Sequence, residues 1–120
     1  MAVSNIPVLG SAALFKDTDC ANAAVAVKAS SAVLYAVEID NTNNGAATYV
    51  KLWNTAQGSV TVGTTAPDMI LMCPASVSKS FIMPGGITFG TALTVAAVTA
   101  AGTAGSTSPT SDATVNVVYV

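Results

Sequence analysis

Glu38-Ile39-Asp40-Asn41-Thr42-Asn43-Asn44-Gly45-Ala46-Ala47-Thr48-Tyr49-Val50-Lys51-Leu52-Trp53 is the stretch that decides the fold. Apolar and polar residues alternate on both sides of Asn44-Gly45, which is the period of a strand with one buried face. Asn-Gly is the preferred pair of a two-residue type I′ hairpin, because both central residues need positive φ. The sequence therefore predicts a hairpin in which Ile39 faces Val50, Val37 faces Leu52, and Glu38 sits opposite Lys51 as a cross-strand ion pair. Glu38 and Asp40 share a face, and pairing to Lys51 is a simpler account of them than a glycosidase-type carboxylate pair. Tyr49 and Trp53 fall on the parity opposite to Val50 and Leu52 and are expected to face away from that core. Three readings stand for them: cover by the second sheet or the N-terminal arm, a platform for a sugar, or a contact with another subunit.

Outward from this stretch the same grammar repeats. Strands are expected near 23–29, 32–41 and 47–55, then at 69–73 and 76–83 across Cys73-Pro74-Ala75-Ser76, where Pro74 presets the turn's second position. Lys79 shares the parity of Val77 and Phe81, and an inward-pointing charge marks 76–83 as an edge strand. Met83-Pro84-Gly85-Gly86 fits a type II turn, after which Ile87 and Phe89 resume the alternation. The last strands lie near 91–99 and 112–120. The loop from Gly58 to Pro67 and the low-complexity segment 100–111 separate strands, and the latter is expected to stay mobile unless a partner orders it. Residues 1–20, with Ile6-Pro7, Gly10-Ser11 and a brief apolar run at Ala12-Ala13-Leu14-Phe15, read as an extended arm that either adds a strand to its own sheet or reaches onto a neighbouring subunit.

About eight short strands and no helical periodicity predict an all-β, single-domain antiparallel β-sandwich over residues 21–120, preceded by the arm of 1–20. A jelly roll is preferred over an Ig-like arrangement, because Cys20 precedes the first clear strand and Cys73 closes a turn, which does not match two core cysteines flanking a Trp.

Composition narrows the function. The 120 residues suffice for one core, and apolar content reaches 52%, much of it Ala and Val, against only 8% charged residues. There is no Arg, the four Lys are scattered, and the net charge is −2, which argues against phosphate neutralisation and hence against direct nucleic-acid binding. His is absent, so Ser-His-Asp and Cys-His catalysis and most zinc sites are closed, and no enzyme, metal or cofactor is expected. Asp17-Thr18-Asp19 has the i, i+2 spacing of some calcium loops but lacks the further oxygen ligands, and solvated loop charges are the simpler reading. Cys20 and Cys73 are expected to be one core thiol and one loop thiol, with a disulfide not indicated. Residues 1–7 lack the basic start and apolar core of a signal peptide, and 92–104 is too short and too β-patterned to span a bilayer, so synthesis and use in a cytoplasm without membrane contact are expected.

Tyr49-Val50-Lys51-Leu52-Trp53-Asn54, the loop ending in Thr65-Ala66-Pro67-Asp68, and the run Met83-Pro84-Gly85-Gly86-Ile87-Thr88-Phe89-Gly90-Thr91-Ala92-Leu93-Thr94-Val95-Ala96 together resemble small virion proteins of tailed bacteriophages. The likeness covers about residues 33–120 and leaves out the arm. It implies a β-sandwich on the particle surface with no catalytic residues: a cement or decoration protein that bridges and stabilises major capsid protein subunits. The implied partners are the major capsid protein and copies of this chain, with a trimer suited to local three-fold positions. Assembly in the host cytoplasm and residence on the capsid follow from the same resemblance. The interface residues expected on this reading are Ile6, Pro7, Leu14 and Phe15 in the arm, Tyr49 and Trp53 on the outward parity, and Pro67 and Pro109 in the two loops. The alternative is a tail, neck or host-surface binding module that holds a glycan on Tyr49 and Trp53.

Overall fold

Alternating side chains give each strand one face that must be covered, and the chain covers these faces by laying two four-stranded sheets against each other. The computed structural model describes residues 12–120. Its strands are β1 (Ala13–Asp17), β2 (Val25–Lys28), β3 (Ala32–Asp40), β4 (Thr48–Trp53), β5 (Met69–Cys73), β6 (Ser78–Phe89), β7 (Leu93–Val98) and β8 (Thr114–Tyr119), with one short 3-10 turn at Gln57–Ser59. One sheet has the order β1-β8-β3-β6 and the other β2-β7-β4-β5. The antiparallel pairs β4·β5, β3·β6, β2·β7 and β1·β8 nest outward from the β4–β5 connection, as in a long double strip that has been rolled up. Pairing of β3 with β8 and of β4 with β7 closes the two sheets. This wrapping is a jelly roll.

Inward residues of the first sheet (Leu34, Val37, Ile39, Val115, Val117) meet those of the second (Val50, Leu52, Leu93, Val95, Ala97) in one continuous core. All of these are fully buried, and each Val, Leu or Ile so placed contributes about 1.5–3 kcal/mol. Cys20 and Cys73 are both free thiols buried in this core, Cys20 from the loop between β1 and β2 and Cys73 from the end of β5. Burial is also the leading reason that the Cys20 thiol is pushed up to about 12.

The expected hairpin at Asn44-Gly45 does not form. β3 and β4 lie in different sheets, and neither Asn44 nor Gly45 takes positive φ. Val37, Ile39, Val50 and Leu52 are all buried, as their parity requires, but they meet across the sandwich instead of side by side. Glu38 lies opposite Ser80 and Asn116, not Lys51. What turns the chain from one sheet to the other is Asn41, which is fully buried. Its Nδ2 donates to the carbonyls of Ala46 (2.9 Å) and Pro74 (3.0 Å), and its Oδ1 accepts from Thr48 Oγ1 (2.6 Å). Its backbone N–H donates to Val77 O (3.0 Å), and its own carbonyl accepts from Asn44 N (3.1 Å). Asn44 extends the knot: its side chain accepts from Ser111 N (2.7 Å) and donates to Ser111 O (3.1 Å). These Asn residues are corner fasteners, a use that competes with the hairpin turn for the same residue types.

One further expectation changes. Met83-Pro84-Gly85-Gly86 does not reverse the chain; it is a bulge within one long strand, β6, which pairs with β3 on either side of it. Four residues of β6 lie between Ile82 and Ile87, whereas β3 has only Tyr35 between Leu34 and Ala36. Gly85 (φ 80°) and Gly86 (φ 78°) absorb the excess in the left-handed region, and a Cβ on Gly86 would collide with Val33 Cγ1 and touch Tyr35 Cε1. Of the arm of 1–20, residues 13–17 are β1, an edge strand paired with β8, which is the first of the two readings given for that segment, a strand added to its own sheet. The parts of the arm expectation that concern Ile6 and Pro7 lie outside the described residues. The edge position expected from Lys79 is found, since β6 pairs only with β3, and the Lys79 ammonium stands 5.1 Å from the centre of the Phe81 ring.

Removing the amide that fastens the corner leaves the buried Thr48 hydroxyl without its partner and releases the part-buried carbonyls of Ala46 and Pro74. Asn41→Ala is therefore expected to lower stability by about 2–4 kcal/mol, read from the urea midpoint at an unchanged slope.

Candidate interaction surfaces

The outward face of the β2-β7-β4-β5 sheet is roofed by two loops, which together form a third layer. On β4 this face carries Lys51 and Trp53, both fully buried. Trp53 Nε1 donates to Thr65 O (3.0 Å) in the first loop, and Thr94 Oγ1 donates to Thr55 O (2.6 Å). Asn54 braces the start of that loop: its N–H donates to Asp68 Oδ2 (2.7 Å), and its Oδ1 accepts from Thr91 N (2.8 Å). Lys51 Nζ holds the second loop by donating to the carbonyls of Gly102 (2.6 Å) and Gly105 (2.9 Å). Burial lowers the Lys51 pKa, and the ammonium is met by backbone dipoles, not by the carboxylate expected for it.

Segment 100–111 thus has its ordering partner within the chain. Thr99 N donates to Thr107 O (2.9 Å), and Asn22 donates to Ser106 O (2.8 Å) through Nδ2 and to Ser108 Oγ (3.1 Å) through its backbone. Because both faces are covered at the centre of the sheet, every residue of β7 is buried, whereas Ile70 and Met72 on the β5 edge of the outward face stay exposed. Trp53 cannot serve as an exposed sugar platform or subunit contact, since none of its surface reaches solvent. Tyr49 is half-buried on the same face, beside Met72 and Val98. Pro67 and Pro109 are half-buried within the two loops.

The outward face of the β1-β8-β3-β6 sheet has no such roof among the described residues. Cross-strand register aligns Leu14, Val118, Ala36 and Ile82 in one apolar row over all four strands. Leu14 is 64% exposed and Ile82 69%. The next row is polar: Lys16, Asn116, Glu38 and Ser80, with Asn116 Nδ2 donating to Glu38 Oε1 (3.3 Å). Between the rows runs a shallow groove of about 280 Å³. Of the expected interface residues this face includes Leu14, while Phe15, its neighbour, turns inward and packs on the core. Ala36, Ile82, Asn116 and Val118 were not singled out in the sequence. Their signal is an apolar residue on the outward parity of a strand, and it becomes a row only once β8 is known to lie between β1 and β3.

Among the described residues no three His, Cys, Asp or Glu side chains are grouped so as to hold a metal ion. Asp17 Oδ1 instead accepts from Asp19 N (3.0 Å) in a local turn. No helix among the described residues is long and apolar enough to cross a membrane, which says nothing about strands. The Asp19 carboxyl is raised from its ordinary value, chiefly by the charge of Asp112, then by partial desolvation, a hydrogen bond with Asp112 and the charge of Asp17.

Lys51→Met keeps the volume but removes the donor to both Gly carbonyls. It is expected to lower stability by about 1–3 kcal/mol and to speed amide hydrogen exchange in 100–106 while sparing β3 and β8. Asp19 gives a pH test. Its folded-state pKa is raised, so the folded chain binds this proton more tightly than the unfolded chain, and repulsion from Asp112 acts above that pKa and is relieved as pH falls through it. Asp112→Asn is therefore expected to raise the melting temperature at pH 7, with the gain disappearing by about pH 3, below the usual carboxylate range.

Compared with known proteins, the chain matches no protein-family model and no curated sequence.

Proposed function

We propose that this chain is a non-enzymatic structural protein of a tailed-phage particle, a cement or decoration protein that bridges major capsid protein subunits on the capsid surface. The observation that carries the reading is the use the fold makes of its reactive groups. Lys51, Cys20 and Cys73 are all buried, two of them as core thiols and one as a loop fastener, and the sequence has no imidazole. What remains outside is a broad, weakly charged surface, which acts by area and shape.

The jelly roll adds support by analogy alone, because this wrapping serves viral capsid domains as well as lectins and cupins. The mechanism is burial of neutral surface across joints between shell subunits, at about 25 cal/mol per Å² of apolar area removed from water. Loops already fixed by Trp53 and Lys51 lose little freedom on docking, so more of that gain is kept as affinity. Assembly would take place in the host cytoplasm, and the partners are the major capsid protein and further copies of this chain. Of the two aromatic contacts in the rival glycan-binding reading, only the half-buried Tyr49 still reaches solvent, which favours the structural reading.

Quantitative mass spectrometry of purified particles from the source tests the proposal. Hundreds of copies in a simple ratio to the major shell protein are expected. A handful would move the chain to the neck or tail, and absence from the particle would overturn the virion reading.

A further inference from the structure

The outward face of the β1-β8-β3-β6 sheet presents an apolar row beside a row that carries one positive and one negative side chain. Lys16 on β1 and Glu38 on β3 lie in the same row, on either side of Asn116 on β8. Leu14 and Ala36 flank Val118 in the same way. We propose that this face is a contact between two copies of the chain, related by a two-fold axis that runs parallel to β8 just above the sheet.

The argument is one of symmetry and charge. Neighbouring strands are about 4.8 Å apart, so β1 and β3 are equally far from β8 on opposite sides. A half-turn about such an axis keeps each row at its own height and exchanges β1 with β3. Lys16 of one copy then stands over Glu38 of the other, and the pair occurs twice. Leu14 is brought over Ala36, and Val118 and Asn116 each meet their own copy. The polar row is thus self-complementary: neither row superposes like charges, and the exposed Leu14 and Val118 gain cover. A surface that complements itself in this way closes at two copies, unlike the three-fold arrangement that the resemblance to virion proteins suggests. The inference does not depend on the proposed capsid role.

Under this axis only β1, β8 and β3 face their counterparts, while β6 projects past the edge strand β1, so two rows across three strands span roughly 14 by 14 Å. That is well under the roughly 800 Å² per partner of a standard interface, so the dimer is weak.

Sedimentation velocity of the full chain from about 10 µM to 1 mM is expected to show a monomer–dimer equilibrium. Lys16→Glu and Glu38→Lys, both at exposed positions, should each weaken it about tenfold by placing like charges together, and the double variant Lys16→Glu/Glu38→Lys should restore it. Concentration-dependent NMR shifts of the unaltered chain should map to Leu14, Lys16, Ala36, Glu38 and Val118. A chain that stays monomeric to 1 mM overturns the proposal, as does a double variant no better than the singles, or shifts confined to another face. Dimers that appear only after deletion of residues 1–11 overturn it as well, because the chain's own segment would then be the occupant of the row.

Discussion

The side-chain amide of Asn41 is the fastening on which the architecture depends. It sits where β3 leaves one sheet and the chain must cross to the other, and it bonds three segments at once: the crossing itself, the start of β4 and the β5–β6 connection. A crossing of this kind leaves several backbone groups without a partner in either sheet, and a buried primary amide, with two donors and an acceptor, answers them within one side chain. Once residues 41–48 cross instead of doubling back, β4 is free to pair with β5 and β7. β3 in turn receives β6 and β8, and the nested jelly-roll pairing follows.

The second organising fact is the smallness of the side chains. A sheet rich in Ala, Val and Thr has a thin outer face, and loops can lie on it closely enough for a lysine to reach through to their carbonyls. Lys51 and Trp53 are the long side chains that fasten this roof, one through its ammonium and one through its indole N–H. The result is a sandwich with a third layer on one side and, among the described residues, a bare sheet on the other, which holds the exposed Leu14 and Ile82.

Much of this was legible in the sequence, though unevenly. The strands and their buried parities could be read because period-two alternation reports which way each side chain points. The same alternation does not say whether the residue opposite is beside it in the sheet or across the core, and that is why Val37 and Leu52 were correctly buried but wrongly paired. Lys51 resembled half of a surface ion pair, since nothing local announces that its acceptors are glycine carbonyls some fifty residues on. The order in segment 100–111 was hidden for the same reason: it is held mostly through its own backbone groups by the distant side chains of Asn22, Asn44 and Lys51, and low-complexity residues offer such groups as well as any others. The apolar row on the open sheet required the strand order and the bulge at Met83–Gly86, and both arise from tertiary pairing.

The pairing of β1 with β8 also governs how the molecule bears a load. Ala13 and Tyr119 are direct neighbours at one end of this antiparallel pair. Tension applied to the chain on either side of the sandwich, at Ala13 and Tyr119, pulls the two strands apart from that end and meets their hydrogen bonds in succession instead of all together. The domain therefore peels from this edge under modest force. Force delivered through its broad faces is shared across every strand, so as a mechanical element it is suited to being pressed and spread upon rather than stretched by its ends.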